Sequence, residues 1–332
     1  MKKKYQKNIE NYNERINEFT KELNKIIKFR LAIFLFSIFL IIILAYAGLA
    51  MAIWIIILLC ALGLVHYINE HNRVSHQKDH VTFLRTINER EISRLDNNLN
   101  GFSSGSSHIK LDHPYVADLD VFGSHSLFQL INRTTTESGE NCLAAWLSES
   151  APTDVILERQ KAIQELSSKL EWRQDFQASG MHFINAKSDF KKLLAWLEKP
   201  ESLLPRGKQY LFLSILLGIL STLALIIHFI YAYTSVYIIH TLPLVIILGI
   251  NYFFLKKLKP IAEDIIVNTH QNVKILGAYE KLIGKIEHEK FNSRILQKLQ
   301  MVFNRDNFSA VNEINKLREI LEGPYEKKWE RK

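Results

Sequence analysis

Two stretches of this chain contain no Asp, Glu, Lys or Arg: Leu31 to Val65, 35 residues, and Tyr210 to Leu255, 46 residues. At about 1.5 Å of rise per residue, helices of those lengths reach about 52 and about 69 Å, against a hydrocarbon core of about 30 Å. Each run is too long for one crossing. Breaks stand near their centres, at Tyr46-Ala47-Gly48 and at Tyr231-Ala232-Tyr233-Thr234-Ser235. The spacing predicts two transmembrane helical hairpins, four crossings in all, with about 17 residues per crossing in the first. A single long tilted first crossing is the alternative. The 42 basic and 34 acidic residues all fall in the other 251 positions, which excludes a single soluble globule and a disordered charged tail. The first run follows thirty polar residues, exceeds a signal-peptide core and lacks a small-residue cleavage site.

The flanks set the expected orientation. Lys21, Lys25, Lys28 and Arg30 precede the first run, and Arg73 and Lys78 follow it. Arg206 and Lys208 precede the second, and Lys256, Lys257 and Lys259 follow it. Short basic flanks stay in the cytoplasm, so a multi-pass protein of the inner, cytoplasmic membrane is expected, its polar segments all cytoplasmic. The charge-free runs hold no ionisable carboxylate or amine to relay a proton or bind an ion. His228, His240 and Pro243 are the interruptions noted there, which argues against a transporter. Residues 1 to 30 carry 9 basic and 4 acidic groups, residues 66 to 209 carry 17 and 19, and residues 256 to 332 carry 16 and 11. The excess positive charge thus flanks the runs, suited to anionic membrane lipid and, more weakly, to DNA.

Helical periodicity dominates the polar parts. Ile9, Tyr12, Ile16, Phe19, Leu23 and Ile26 alternate at spacings of three and four, an apolar seam that calls for a partner helix, whether from this chain, a second copy or another protein. Val81, Leu84, Ile87, Ile92 and Leu95 continue a helix that stops at Asn97-Asn98. The Gly- and Ser-rich stretch from Gly101 to Ser107 reads as a flexible linker. Leu127, Leu130 and Ile131 suggest one helical face; Leu143, Trp146 and Leu147 a second; and Val155, Ile156, Arg159, Ile163 and Leu166 a third, entered through Pro152-Thr153 as a cap. Stripes at Leu276, Tyr279, Ile283 and Ile286 and at Ile295, Leu299 and Val302 follow, with a break at Asn304 to Asn307 and a stop at Gly323-Pro324. The expected layout is an amphipathic cytoplasmic helix (1–30), a first hairpin (31–66), a helix and linker (67–110), a helical domain (111–205), a second hairpin (210–255) and a C-terminal helical segment (256–332).

Motifs that carry chemistry are missing. Neither Gly207-Lys208-Gln209 nor Gly284-Lys285-Ile286 completes a phosphate loop, and no nucleophile elbow, His-Glu-x-x-His or Cys-x-x-Cys is present. Cys60 and Cys142 fit small side chains in a reducing compartment. His71, His76 and His80 lack a third ligand of convincing spacing, so no metal is assigned. Asp112, Asp118 and Asp120 fit turns rather than paired catalytic carboxylates. No enzyme activity and no cofactor is expected of this chain by itself.

One ordered set of motifs is more specific: Asp118 to Ser124, then Ser126 to Thr136, then Gly139 to Leu147, then Ile156 to Ile163. This order resembles the core, or lever-base, domain of the MutS mismatch-repair ATPase family, in particular its membrane-anchored members. The matching positions are Leu130, Arg133, Thr134, Gly139, Leu143, Trp146, Leu147, Ile156, Arg159 and Ile163. The resemblance covers residues 111 to 200 and extends more weakly beyond Lys256. It implies an all-α cytoplasmic body with long helices and a family role in mismatched-DNA binding and ATP-dependent repair. It assigns structural duties to Gly139 (tight helix entry), Trp146 (core filler), and Arg133 and Arg159 (inter-helix ion pair or cap). The chain departs from the family in three ways: no Phe is followed two residues later by Glu, as the mismatch reader requires; no ATPase follows the core; and Glu140, Asn141, Ala144 and Ala145 stand where relatives often carry basic groups. ATP and Mg would enter only with an ATPase supplied from elsewhere. The other expectation is a helical membrane scaffold that recruits protein partners, or a second copy, through residues 9 to 26.

Overall fold

The computed structural model describes residues 1–110, 112–182, 207–230, 237–305 and 308–326. The expected hairpin tip at 231–235, the stretch from 183 to 206, and the charged tail beyond Glu326 lie outside the described residues. The chain is 80% helix, and the all-α class is observed. It divides into one unit formed by Met1–Lys187 with Leu276–Lys332, and another formed by Ser188–Ile275.

The first unit is built on two long helices, α1 (Lys2–Tyr46) and α2 (Ala50–Leu95). The break between them falls where the sequence placed it, and its chemistry is visible. Gly48 adopts φ +69°, while its N–H donates to Ala45 and that of Leu49 to Leu44. This is a glycine-terminated helix end in which a left-handed residue lets the last carbonyls be satisfied. Asn97, φ +53°, does the same for α2, with Asn97 N–H on Arg94 and Asn98 N–H on Ser93.

The two helices run antiparallel in one constant register. Lys2 pairs with Asp96, Asn8 with Asn88, Asn13 with Arg85 and Phe29 with Tyr67, so the two numbers in each pair add to between 96 and 98. The partner of the 9–26 seam is therefore α2 of the same chain. Leu23 and Ile26 close over Val74, which is 1% exposed, with Phe19 and Tyr67 alongside, and Tyr12 packs on Leu84 and Ile87. Where the same two helices enter their charge-free halves, the side chains turn outward instead: Phe36, Phe39, Trp54, Leu58 and Leu62 are 58% to 69% exposed.

After α2, the stretch expected to be a free linker is packed. Gly105 lies so close to Phe128 that a Cβ there would come within 2.6 Å of the ring, and the Gln129 amide donates to the Leu99 and Phe102 carbonyls at 3.0 Å each. A short 3-10 turn at Ser106–His108 leads to α3 (Leu127–Ile131), α4 (Glu137–Ser148), α5 (Thr153–Ser168) and α6 (Leu170–Met181). In α3 the buried residues are Phe128 and Gln129, whereas Leu127 and Leu130 are largely exposed, because Ser126 caps this one-and-a-half-turn helix with its opposite side inward. Val116, Val121, Phe122, Phe128 and Ala144 form the local core, with Leu143 and Leu147 against it. Pro152 sits at the N-cap of α5 but offers no side-chain acceptor, so Pro152-Thr153 marks the start of the helix without capping it. The exposed Asp112, Asp118 and Asp120 are turn residues, Asp120 at φ +48°.

Helix α6 returns to α2. Ala178 and Met181 meet Leu84 and Ile87, and beside them lies a buried polar junction that joins three helices. Asn88, fully buried, receives Asn8 Nδ2 at 3.1 Å and Gln174 Nε2 at 3.3 Å on its carbonyl, and donates to the Leu84 carbonyl at 2.7 Å.

The second unit contains α7 (Gly207–Ile230) and α8 (Tyr237–Glu287) up to Ile275; the rest of α8 belongs to the first unit. Asn251 Nδ2 donates to Ser221 Oγ at 2.6 Å, tying α8 to α7 inside the charge-free run. The pair is a further polar interruption of that run, beside His228, His240 and Pro243. Among the described residues, four helices have the length and apolar composition to cross a membrane: Lys2–Tyr46, Ala52–Leu95, Gln209–Ile230 and Thr241–Lys259.

The chain ends in α9 (Arg294–Phe303), a minimal ladder of β1 (Asn304–Arg305) and β2 (Phe308–Ser309), and α10 (Ala310–Glu326). Glu165 of α5 accepts the N–H groups of Asn292 and Ser293 at 2.8 and 2.7 Å, and these hydrogen bonds hold its carboxyl below the usual range against the desolvation that opposes them. Helix α10 runs two residues past Pro324, where a stop was expected: in a final turn the missing N–H costs one hydrogen bond only.

Replacing Asn88 by Ala strands the Gln174 and Asn8 amides at a buried site, a loss of about 1–3 kcal/mol by the usual cost of an unmet buried polar group. Thermal unfolding of the detergent-solubilised N88A variant should show a clear drop in midpoint, and an unchanged midpoint would mean that water reaches the junction.

Candidate functional site, a motif clamp and a histidine and lysine pocket

The Asn132-Arg133-Thr134 motif is a clamp on the end of α2. Arg133 meets Glu91 with two parallel bonds, Nε to Oε1 and Nη2 to Oε2, both 2.8 Å. Arg94 donates to the same carboxylate at 2.9 Å and to the Asn132 carbonyl at 2.8 Å, while its guanidinium lies 4.2 Å from the Phe102 ring centroid. The side chains of Glu91 and Arg94 are 13% and 6% exposed and Arg133 is 37% exposed, so a largely desolvated pair is closed from the solvent side by a guanidinium whose fork geometry gives direction as well as strength. Burial, followed by the nearby Arg133 charge, pushes the Arg94 guanidinium below its ordinary value.

The remaining motif residues shape the turn that presents the clamp. Asn132 Oδ1 accepts both the N–H and the hydroxyl of Thr134, at 2.9 and 2.7 Å. Thr136 Oγ1 caps α4 by accepting the Gly139 N–H at 3.1 Å, and a Cβ at Gly139 would press on that hydroxyl, in keeping with a tight helix entry. Thr135, which the sequence reading did not single out, is the tightest of these contacts. A Cβ on Gly180 would come within 2.0 Å of its hydroxyl, so α6 can lie against the motif only with glycine there. Trp146 is not a core filler: it is 48% exposed, and Arg159 lies over its ring with Cζ 3.9 Å from the centroid. Arg159 thus braces α5 on α4 through a cation–π contact instead of an ion pair or cap. Ile156 and Ile163 face outward, and Ala162 is the buried residue of that helix.

Further along the same face of α2, towards its charge-free half, residues far apart in sequence converge on one pocket of about 470 Å³. His76 and His80, one turn apart, come from α2; Ser179 and His182 from the end of α6; Lys281 and Lys285 from α8, and His288 from just beyond it. Lys281 Nζ lies 2.9 Å from His76 Nε2. His80 Nε2 lies 2.7 Å from Asp175 Oδ1, and the other Asp175 oxygen takes the Lys285 ammonium. A carboxylate can only accept, so His80 Nε2 carries a proton. In neutral His80, Nδ1 then accepts from His182 Nε2, 3.3 Å away. The hydrogen bond from His80, reinforced by Lys285, holds the Asp175 carboxyl down at about 2, against partial burial. Burial, and then the charges of His76, His80 and Lys281, lower His182 to about 3. Of the three histidines considered from sequence, His71 lies outside this pocket. Among the described residues no group of His, Cys, Asp or Glu has the arrangement to hold a metal ion.

Comparison with protein-family models, with curated proteins and with solved structures finds no match to this chain.

The sign of the pH dependence follows from His182. It remains neutral in the folded state to about pH 3, whereas the unfolded chain takes up the proton near 6.5, so protons favour unfolding throughout that window and stability declines as pH falls. Asp175 adds a loss only below about 3.8, as pH falls towards 2. The unfolding midpoint, measured from pH 7 to 4, should therefore drop in the wild type, and His182→Gln should flatten that drop. An identical slope in the variant would assign it to other groups.

Proposed function

We propose that this chain is a membrane-anchored helical lever of MutS type, the part of such an assembly that transmits movement rather than the part that hydrolyses nucleotide or reads a mismatch. The observation that carries this reading is the clamp. Within the motif of the family resemblance, Arg133 and the Asn132 carbonyl fasten the small helical body to Glu91 and Arg94, and α2 runs unbroken from there into a charge-free half. From Glu91 back to Val65 is 26 residues, about 39 Å of helix. Because α1 is interlocked with α2 along that length, displacement of the body is carried as a rigid tilt of the pair.

In this reading the four apolar helices cross the inner membrane as two hairpins, and the polar segments lie in the cytoplasm, held there by the basic flanks. The exposed Phe, Trp and Leu side chains of α1 and α2 suit a lipid surrounding. The nucleotide chemistry, with ATP and Mg, would come from an ATPase outside these 332 residues, which contain no phosphate loop. DNA contact through this chain would be the weak, salt-sensitive kind that basic flanks provide. A second reading, a helical membrane scaffold, is favoured by one observation: Leu299, Met301 and Val302 of α9 are 54% to 59% exposed and offer a partner an apolar face. The 9–26 seam suits that role less, being packed on α2.

The two native cysteines test the lever directly, since Cys60 lies in the charge-free half of α2 and Cys142 is exposed on α4. Nitroxide labels on both should give a narrow distance distribution that broadens when Glu91→Gln opens the clamp, and the purified chain should show no Mg-dependent ATP hydrolysis. A distribution already broad in the wild type, or hydrolysis by the chain alone, would remove the lever reading.

A further inference from the structure

We propose that the pocket between α2, α6 and α8 is a binding site for a soluble, phosphate-bearing small molecule. The site does not rest on the clamp transmitting movement, because it uses other residues, but the choice of a soluble ligand over a lipid rests on the membrane placement of α2 proposed above.

Charge and donor type carry the argument. Two histidines one turn apart on α2, His76 and His80, face two lysines one turn apart on α8, Lys281 and Lys285, and His182 closes the third side. Among the described lining residues there is no carboxylate. Asp175 pairs directly with Lys285 and orients His80. The lining itself sets two lysines and four histidines around one volume, the donor types that recognise an oxyanion. A volume of about 470 Å³ is far more than a single ion needs and lies in the range of small-molecule sites.

A metal ion is the wrong occupant. The Lys281 ammonium lies 2.9 Å from His76 Nε2, the atom a metal would need, and repels any dication in the same space.

Two sources of phosphate are compatible with the chemistry, a lipid headgroup and a dissolved compound, and distance along α2 separates them. His76 and His80 lie 11 and 15 residues beyond Val65, about 16 and about 22 Å further along the helix. The polar layer on each side of a bilayer adds only about 5–8 Å to the hydrocarbon core. An ordinary phospholipid phosphate falls short of the pocket, and a soluble ligand does not.

The test is calorimetric titration of the full chain, in phosphatidylcholine nanodiscs, with pyrophosphate. Saturable binding with one site per chain is expected. Lys281→Gln should weaken it at least tenfold, and Lys281→Arg should restore most of it; circular dichroism should show the helix content of both unchanged. If Lys281→Gln fails to fold, His76→Gln replaces it, with weakened binding again expected. Absence of saturation, or wild-type affinity in the glutamine variants, would overturn the site. Repeating the titration in nanodiscs containing phosphatidic acid should leave the affinity unchanged, whereas competition by that lipid would assign the pocket to a headgroup and overturn the soluble ligand.

Discussion

Everything in the first unit hangs on the antiparallel register of α1 and α2. An apolar seam at alternating three- and four-residue spacing cannot remain in water, and a turn of two or three residues at Ala47 to Leu49 leaves α2 as the nearest surface that can cover it. Once Leu23 and Ile26 close over Val74, the pairing from Phe29–Tyr67 out to Lys2–Asp96 is determined residue by residue. A slip by one helical turn would separate Asn8 from Asn88 and take one partner from a fully buried carbonyl. The polar junction costs little when satisfied and much when shifted, so it selects the register that the apolar contacts alone would leave loose.

That register places successive levels of one face of α2 at the disposal of different parts of the chain. Glu91 and Arg94 face the motif turn, His76 and His80 face α8, and Ile87 faces α6. Gly180 allows the last of these approaches, because any side chain there would collide with Thr135. The clamp and the pocket are thus consequences of one packing decision, although they use different residues and different chemistry. The clamp is charge-paired and largely desolvated. The pocket is open and lined by lysines and histidines.

Much of this was legible in the sequence. The absence of charge over 35 and 46 residues marks the apolar helices, Gly48 and Asn97 mark helix ends because each tolerates a left-handed backbone, and the 9–26 seam announces a helix that needs a partner. The motif Asn132-Arg133-Thr134 pointed to an inter-helix role for Arg133, and the fork on Glu91 supplies it. Other readings failed for physical reasons that periodicity cannot reveal. Leu127 and Leu130 share a helical face, but in a helix of five residues the cap decides which side turns inward. Trp146 is apolar enough for a core, yet a cation lying over its ring lets it remain half exposed. The Gly- and Ser-rich stretch has a linker's composition, but glycine also permits close approach, and at Gly105 it is the ring of Phe128 that approaches.

What the sequence determined by itself was local: where helices run, where they stop, which lengths are apolar, and that one seam required a partner. These follow from spacing and composition within a few turns of chain. What only the tertiary structure decided was which distant groups meet. His80 and His182 are 102 positions apart, and His76 and Lys281 are 205 apart. No periodicity connects such residues, because their juxtaposition depends on the register of α1 against α2, on the glycine that admits α6, and on the course of α8, and each of these is fixed by packing energy summed over many side chains.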